Sequence, residues 1–200
     1  MTDLILASGS PYRRTLLARL GLEFAVISPD ADERSRPSEG GAALSERLAL
    51  LKARTVADQY PEAVVIGSDQ VAECNTRLLG KPGTVEQAIA QLEFCSDQEV
   101  VFHTAVVVMG AQRTLVRRVP TRVQMKPLTH RQIRSYVALD QPLDCAGAMK
   151  SESLGIALTK TITSDDPTAL VGLPLIAVAT MLEQLGLPVI DERTQDHPTE

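Results

Sequence analysis

The sequence predicts an α/β domain built on a mixed sheet, and three observations carry that expectation. Apolar runs such as Leu4–Ala7 and Ala63–Ile66 have the length of buried strands. They alternate with segments whose apolar residues recur at helical spacing, the pattern of helices packed on a sheet. The two longest strand segments, Val100–Met109 and Leu115–Gln124, are joined through the short turn Gly110-Ala111-Gln112-Arg113. That connection has hairpin length, so the pair is antiparallel and the sheet is mixed.

Taken in order, Leu4–Ala7 reads as a strand that ends in the turn Ser8-Gly9-Ser10-Pro11. Leu16, Leu17 and Leu20 then have helical spacing, with Ser10 as cap, Pro11 in the first turn and Gly21 as the stop. Phe24–Ile27 reads as a strand, and the polar stretch Ser28–Gly41 as a loop. Ala42–Asp58 is helical with Leu44, Leu48 and Leu51 on one face, which puts Lys52 off the centre of that face. Ala63–Ile66 is a strand ending in Gly67-Ser68-Asp69-Gln70, with strand character resuming at Val71. Gly80-Lys81-Pro82 is a turn. Thr84 caps a helix through Phe94, and Thr129–Leu139 is another. Ile156–Leu158 reads as a short strand, and Val171–Leu185 as mostly helical after Pro174. Residues 1–190 are expected to form a single domain, and the polar stretch from Asp191 to Glu200 a flexible tail.

The 200 residues carry a net charge of −5, which argues against a general nucleic-acid binder. No apolar stretch is long enough to span a bilayer, and the N-terminus lacks the pattern of a signal peptide. The three cysteines, Cys74, Cys95 and Cys145, fit neither a disulfide framework nor a zinc site. The expected setting is a reducing cytoplasm. The oligomeric state stays open, a homodimer being one option.

Several residue groups can carry chemistry. Ser8-Gly9-Ser10-Pro11-Tyr12-Arg13-Arg14 leaves a strand and opens a helix, so backbone N–H groups and the helix dipole favour an anion there. Arg13 and Arg14 add the planar, charged donors that phosphate oxygens take. An ordinary capped helix with a solvated arginine pair would give the same pattern. Asp69 follows an apolar strand, where open α/β folds place their sites, and can hold a metal or activate water. Asp69 could equally be a turn residue. Asp32-Glu33 gains meaning only if it faces Asp69 across a cleft. Lys52 and Lys81 are phosphate candidates, though most lysines are merely solvated. His103, His130 and His197 show no ligand spacing.

In order and spacing, these segments resemble the Maf family of nucleotide pyrophosphatases over residues 3–187. The resemblance rests on Leu6-Ala7-Ser8-Gly9-Ser10-Pro11 with Arg13, on Asp32-Glu33, and on Leu48-Ala49 with Lys52-Ala53. It continues through Gly67-Ser68-Asp69-Gln70-Val71, Gly80-Lys81-Pro82, Ala146-Gly147, Gly155 and Val171-Gly172-Leu173-Pro174-Leu175. Tyr12, Gln70 and Lys150-Ser151-Glu152 make the chain look most like the YceF-type subgroup, described as 7-methyl-GTP pyrophosphatases.

The resemblance implies a long twisted mixed sheet like that of inosine triphosphate pyrophosphatases, with two lobes and a central cleft. It implies Mg²⁺- or Mn²⁺-dependent hydrolysis of a nucleoside triphosphate to monophosphate and pyrophosphate. Asp69 carries over as proton acceptor, and Ser8, Arg13, Lys52 and Lys81 as phosphate ligands. Glu33 carries over as a carboxylate that shares a metal with Asp69 or orients the water. Tyr12, Gln70 and Glu152 carry over as base-selecting positions. Tyr12 stands where the subgroup can carry Trp. Two alternatives remain open at this point: a pyrophosphatase for dTTP, UTP or CTP, and a non-catalytic nucleotide-binding regulator of cell division.

Overall fold

The computed structural model describes residues 3–190, so the expected tail lies outside the described residues. In chain order the elements are β1 (Leu4–Ala7), α1 (Pro11–Ala18), β2 (Ala25–Ile27), α2 (Gly41–Ala57), β3 (Val64–Cys74) and β4 (Arg77–Leu79). There follow α3 (Val85–Cys95), β5 (Glu99–Met109), β6 (Thr114–Met125), α4 (His130–Asp140), β7 (Thr159–Ser164) and α5 (Leu175–Gln184). One seven-stranded sheet runs in the order β2-β1-β3-β5-β6-β7, with β4 pairing to β3. β1 is parallel to β2 and β3, and every other pairing is antiparallel. The sheet is mixed, as the hairpin between β5 and β6 requires.

β3 and β5 are long enough to cross more than one core. Beneath α1 and α5, Leu6, Ile66, Val106 and Val108 pack with Leu16, Leu17, Val178 and Leu182. Beneath α2, the opposite face of the same strands sets Val65, Ala105 and Val107 against Ala49 and Ala53. At the other end, Ala72, Phe102 and Val123 pack with Leu92, Ile133 and Val137 of α3 and α4.

Four expectations are corrected. Gly67–Gln70 does not end a strand: β3 runs unbroken for 11 residues, so Asp69 stands inside it. Lys52 is buried on the sheet-facing side of α2 with Leu48, Ala49, Ala53 and Val56, and it is Leu51 that lies to the side. The reason is Gly67. A Cβ there would lie 2.4 Å from the Ala49 carbonyl oxygen and 2.7 Å from the Ala53 nitrogen. Its absence lets α2 sit against β3 backbone to backbone, which carries the adjacent Lys52 into the sheet. Ile156–Leu158 is not a strand but part of the 3₁₀ turn Leu154–Leu158, and the edge strand β7 follows it. β4 was not anticipated. It returns from β3 through Asn75 and Thr76 at φ 47° and 66°, and a threonine at positive φ hides the hairpin signal that glycine would give.

Candidate active site

β1 pairs with the first part of β3, as far as Ala7 beside Gly67, and β4 pairs with its last part from Ala72 onward. Residues 68–71 lie between those pairings on that edge, and Asp69 opens there into a cleft of about 740 Å³. Side chains alternate across a strand, so Asp69 points to the α2 side while Ser68 and Gln70 point to the other.

On the α2 side, Lys52 Nζ lies 2.6 Å from Asp69 Oδ1 and 2.7 Å from Glu33 Oε1. The Lys52 and Asp69 side chains are each 8% exposed, whereas Glu33 is 57% exposed. A buried carboxylate is thus paired with a buried ammonium, and a carboxylate from the polar loop before α2 reaches the same ammonium from outside. That loop is tied down at Glu39, whose carboxylate accepts two hydrogen bonds from Arg47 at 2.6 and 2.8 Å.

On the other side of the cleft, Ser8 and Arg13 leave β1 and α1. Ser10 caps α1 by accepting from the Arg13 N–H at 3.4 Å. Arg13 Nε donates to the Gly172 carbonyl at 2.8 Å, and Nη1 donates to Ser8 Oγ at 3.4 Å. Burial lowers the Arg13 pKa below the ordinary guanidinium value, while the charges of Asp69 and Glu33 oppose that shift. A guanidinium starts so high that Arg13 stays charged.

Most of the expected site residues meet in this cleft. Ser8, Tyr12, Arg13, Glu33, Lys52, Asp69, Gln70, Lys81 and Glu152 all line it. Arg14 does not: it is exposed on α1 and outside the cleft lining. Gln70 is held in a particular way, its amide Nε2 donating to the Ala169 and Leu170 carbonyls, both at 2.9 Å, and approaching Thr104 Oγ1 at 3.1 Å. The amide protons of Gln70 therefore serve Ala169, Leu170 and Thr104, and only its carbonyl oxygen is left over.

Sequence reasoning assigned no role to several residues that build the site. Ser68, fully buried, places its hydroxyl 2.8 and 2.9 Å from the Ala105 and Gly172 carbonyls, which share its one O–H. Gly172 has φ 112°, a conformation that favours glycine, and it presents one carbonyl to both Ser68 and Arg13. Asp166 is 2% exposed and accepts from the N–H groups of Thr168 and Ile176 at 3.0 and 2.7 Å, which fixes the segment before α5. Asp144 also lines the cleft and accepts a hydrogen bond from the Tyr12 hydroxyl at 3.2 Å. The motif Val171-Gly172-Leu173-Pro174 carried a signal for this segment. Asp144 and Asp166 had none, because a lone loop aspartate reads as a turn residue.

Among the described residues, no three His, Cys, Asp or Glu side chains converge as a metal-binding group. Glu33 and Asp69 each give one carboxylate oxygen to the Lys52 ammonium. Two hard carboxylates on one cleft could hold Mg²⁺, which typically takes one or two carboxylates together with water and other oxygen ligands. No helix among the described residues is long and apolar enough to cross a membrane.

The fold and the cleft together define an α/β protein with a carboxylate–lysine centre facing an anion-receptive arginine–serine loop. The chain belongs to the Maf-like protein family, whose pattern matches residues 3–185. It is 52% identical to a 7-methyl-GTP pyrophosphatase of Xanthomonas axonopodis pv. citri, over 94% of this chain and 100% of that one. Its identity to a 7-methyl-GTP pyrophosphatase of Polaromonas sp. is also 52%, over 98% and 90% of the two chains. With the Nitrosococcus oceani protein of that name it is 50%, over 94% and 95%. Among solved structures, the Ham1 protein of Staphylococcus aureus aligns at 18% identity and a TM-score of 0.46, covering 63% of this chain and 73% of that one.

Proposed function

We propose that the protein hydrolyses the α–β phosphoanhydride of a nucleoside triphosphate, releasing a nucleoside monophosphate and pyrophosphate, with 7-methyl-GTP as its preferred substrate. The observation that carries the reaction type is the buried Lys52–Asp69 pair beside Ser8 and Arg13 in one cleft. The names of relatives at 50–52% identity support the choice of substrate.

In this reading Arg13, Lys52, Lys81 and Ser8 hold the polyphosphate. Asp69 takes the proton of a water that attacks the α-phosphorus. Before substrate binds, the Lys52 ammonium is shared by Asp69 and Glu33. A polyphosphate competes for that ammonium and so frees the Asp69 carboxylate to act as base. Arginine and lysine then stabilise the charge that develops on the departing pyrophosphate. Mg²⁺ or Mn²⁺ would be held by Glu33 and Asp69 with the substrate phosphates, and when bound it neutralises polyphosphate charge. The free cysteines and the nucleotide substrate suit a reducing cytoplasm.

A panel of 7-methyl-GTP, GTP, dTTP, UTP and CTP, assayed for pyrophosphate release, tests the reading. The expected result is the highest kcat/KM on 7-methyl-GTP. A clear preference for a pyrimidine would replace the substrate assignment. Binding without release of pyrophosphate from any of them would favour the regulator.

A further inference from the structure

We infer that Asp144 is a specificity-determining residue whose carboxylate contacts the nucleotide base and favours a base that carries positive charge. The inference rests on the reading of the cleft as a nucleotide site, and it adds a residue that neither the family resemblance nor the sequence motifs had marked.

Tyr12 and Arg13 leave the same first turn of α1. Arg13 reaches Ser8 and the Gly172 carbonyl. Tyr12 instead reaches across to Asp144, its hydroxyl 3.2 and 3.4 Å from the two carboxylate oxygens. The Asp144 loop is fastened from behind: the Gly83 N–H donates to the Leu143 carbonyl at 2.9 Å, which joins it to the turn that carries Lys81. Burial raises the Tyr12 pKa, with Cys145 and Asp144 adding to the shift, so the phenol stays protonated and donates. Asp144 is itself exposed in the cleft and keeps acceptor capacity for a ligand. Glu152 lines the same cleft, but among the described residues its only side-chain partner is its neighbour Ser151 at 3.4 Å. Of these two carboxylates, Asp144 is therefore the one that a residue across the cleft holds in place.

Asp69 and Glu33 share the Lys52 ammonium, whereas among the described residues Asp144 forms no ion pair, so its wall of the cleft suits the base better than the phosphates. Methylation at N7 gives guanine a delocalised positive charge. An aromatic face and a carboxylate both stabilise such a cation, and a neutral purine gains neither charge term.

The test is binding of 7-methyl-GMP and GMP to the full chain, measured by calorimetry, with inorganic pyrophosphate as a check that the cleft is intact. Wild type is expected to prefer 7-methyl-GMP. Asp144→Asn should lower that preference roughly tenfold, the scale of one charge-assisted hydrogen bond at an exposed position, with pyrophosphate binding unchanged. Asp144→Glu should restore most of the preference. In a Tyr12→Phe background Asp144→Asn should still reduce it, because a residue acting only by holding Tyr12 would have no further effect there. The inference is overturned if wild type binds both monophosphates equally. It is also overturned if Asp144→Asn binds pyrophosphate normally and keeps the wild-type preference, or if the Asp144→Asn effect vanishes with Tyr12→Phe. Binding is read without turnover. A chain that discriminates the bases yet hydrolyses nothing sinks the proposed activity and leaves the role of Asp144 standing, and the converse result does the opposite.

Discussion

Two ion pairs in this protein have the same length and opposite settings. Lys52–Asp69 and Arg34–Asp32 both close at 2.6 Å, but the first pair has side chains 8% exposed on both sides and the second 88% and 60%. Water screens the outer pair and solvates each partner when the other is removed. In the inner pair Lys52 would still have Glu33, but among the described residues Lys52 is the ion-pair partner of Asp69, so its loss strands a buried charge. The same chemistry thus gives a loop ornament in one place and, in our reading, a catalytic centre in the other.

The comparison can be broken at several points. The largest effect belongs to Asp69→Asn, which keeps the shape and removes the proton acceptor. It should lower kcat by about 10²–10⁴, the usual range for a general base, with the fold intact by circular dichroism. Retained activity would remove Asp69 from the mechanism. Lys52→Ala should cost about 3–5 kcal/mol in denaturant unfolding, because it leaves Asp69 buried without its counter-charge. A cost near zero would show that Asp69 is solvated enough not to need it. Gly67→Ala sharpens the same point from the backbone, since its Cβ would meet α2 at 2.4 Å. It should cost roughly 1–3 kcal/mol and also lower activity, because α2 and Lys52 move together.

Cys145 offers a smaller effect. Its thiol is pushed up to about 12, chiefly by burial, with the charges of Asp144 and Glu152 raising it and the Tyr12 hydroxyl opposing. Below that pH the neutral thiol prevails, so iodoacetamide at neutral pH should leave activity unchanged although Cys145 borders the cleft. Rapid inactivation would contradict this. The smallest effect is expected from Arg34→Ala. It should leave thermal stability and kcat at wild-type values, and a clear loss would mean that the outer pair also holds Glu33 in place.

The strand–helix alternation made the fold class legible, and the hairpin at Gly110–Arg113 made the mixed sheet legible. The candidate site was legible as a set of residues that share one cleft, through motifs, but not as geometry. Asp69 looked like the end of a strand because Gly67-Ser68-Asp69-Gln70 has the composition of a turn, and only pairing with β5 reveals that the strand continues. Lys52 looked lateral because helical periodicity ranks apolar residues, and a buried lysine violates that ranking. Gly67 explains the burial of Lys52, yet the need for a missing Cβ depends on a helix that packs from elsewhere in the chain. Arg14 shows the opposite failure: its spacing placed it beside Arg13, but the turn of α1 points it to solvent. Asp166, a buried cap of the segment before α5, could not be distinguished from the exposed Asp165 beside it.

The most direct measurement of the central claim is hydrolysis of 7-methyl-GTP in water enriched in heavy oxygen, followed by mass spectrometry of both products. Attack on the α-phosphorus places the heavy atom in the nucleoside monophosphate and leaves pyrophosphate unlabelled. Label found in pyrophosphate, or release of inorganic phosphate with a nucleoside diphosphate, would contradict the account.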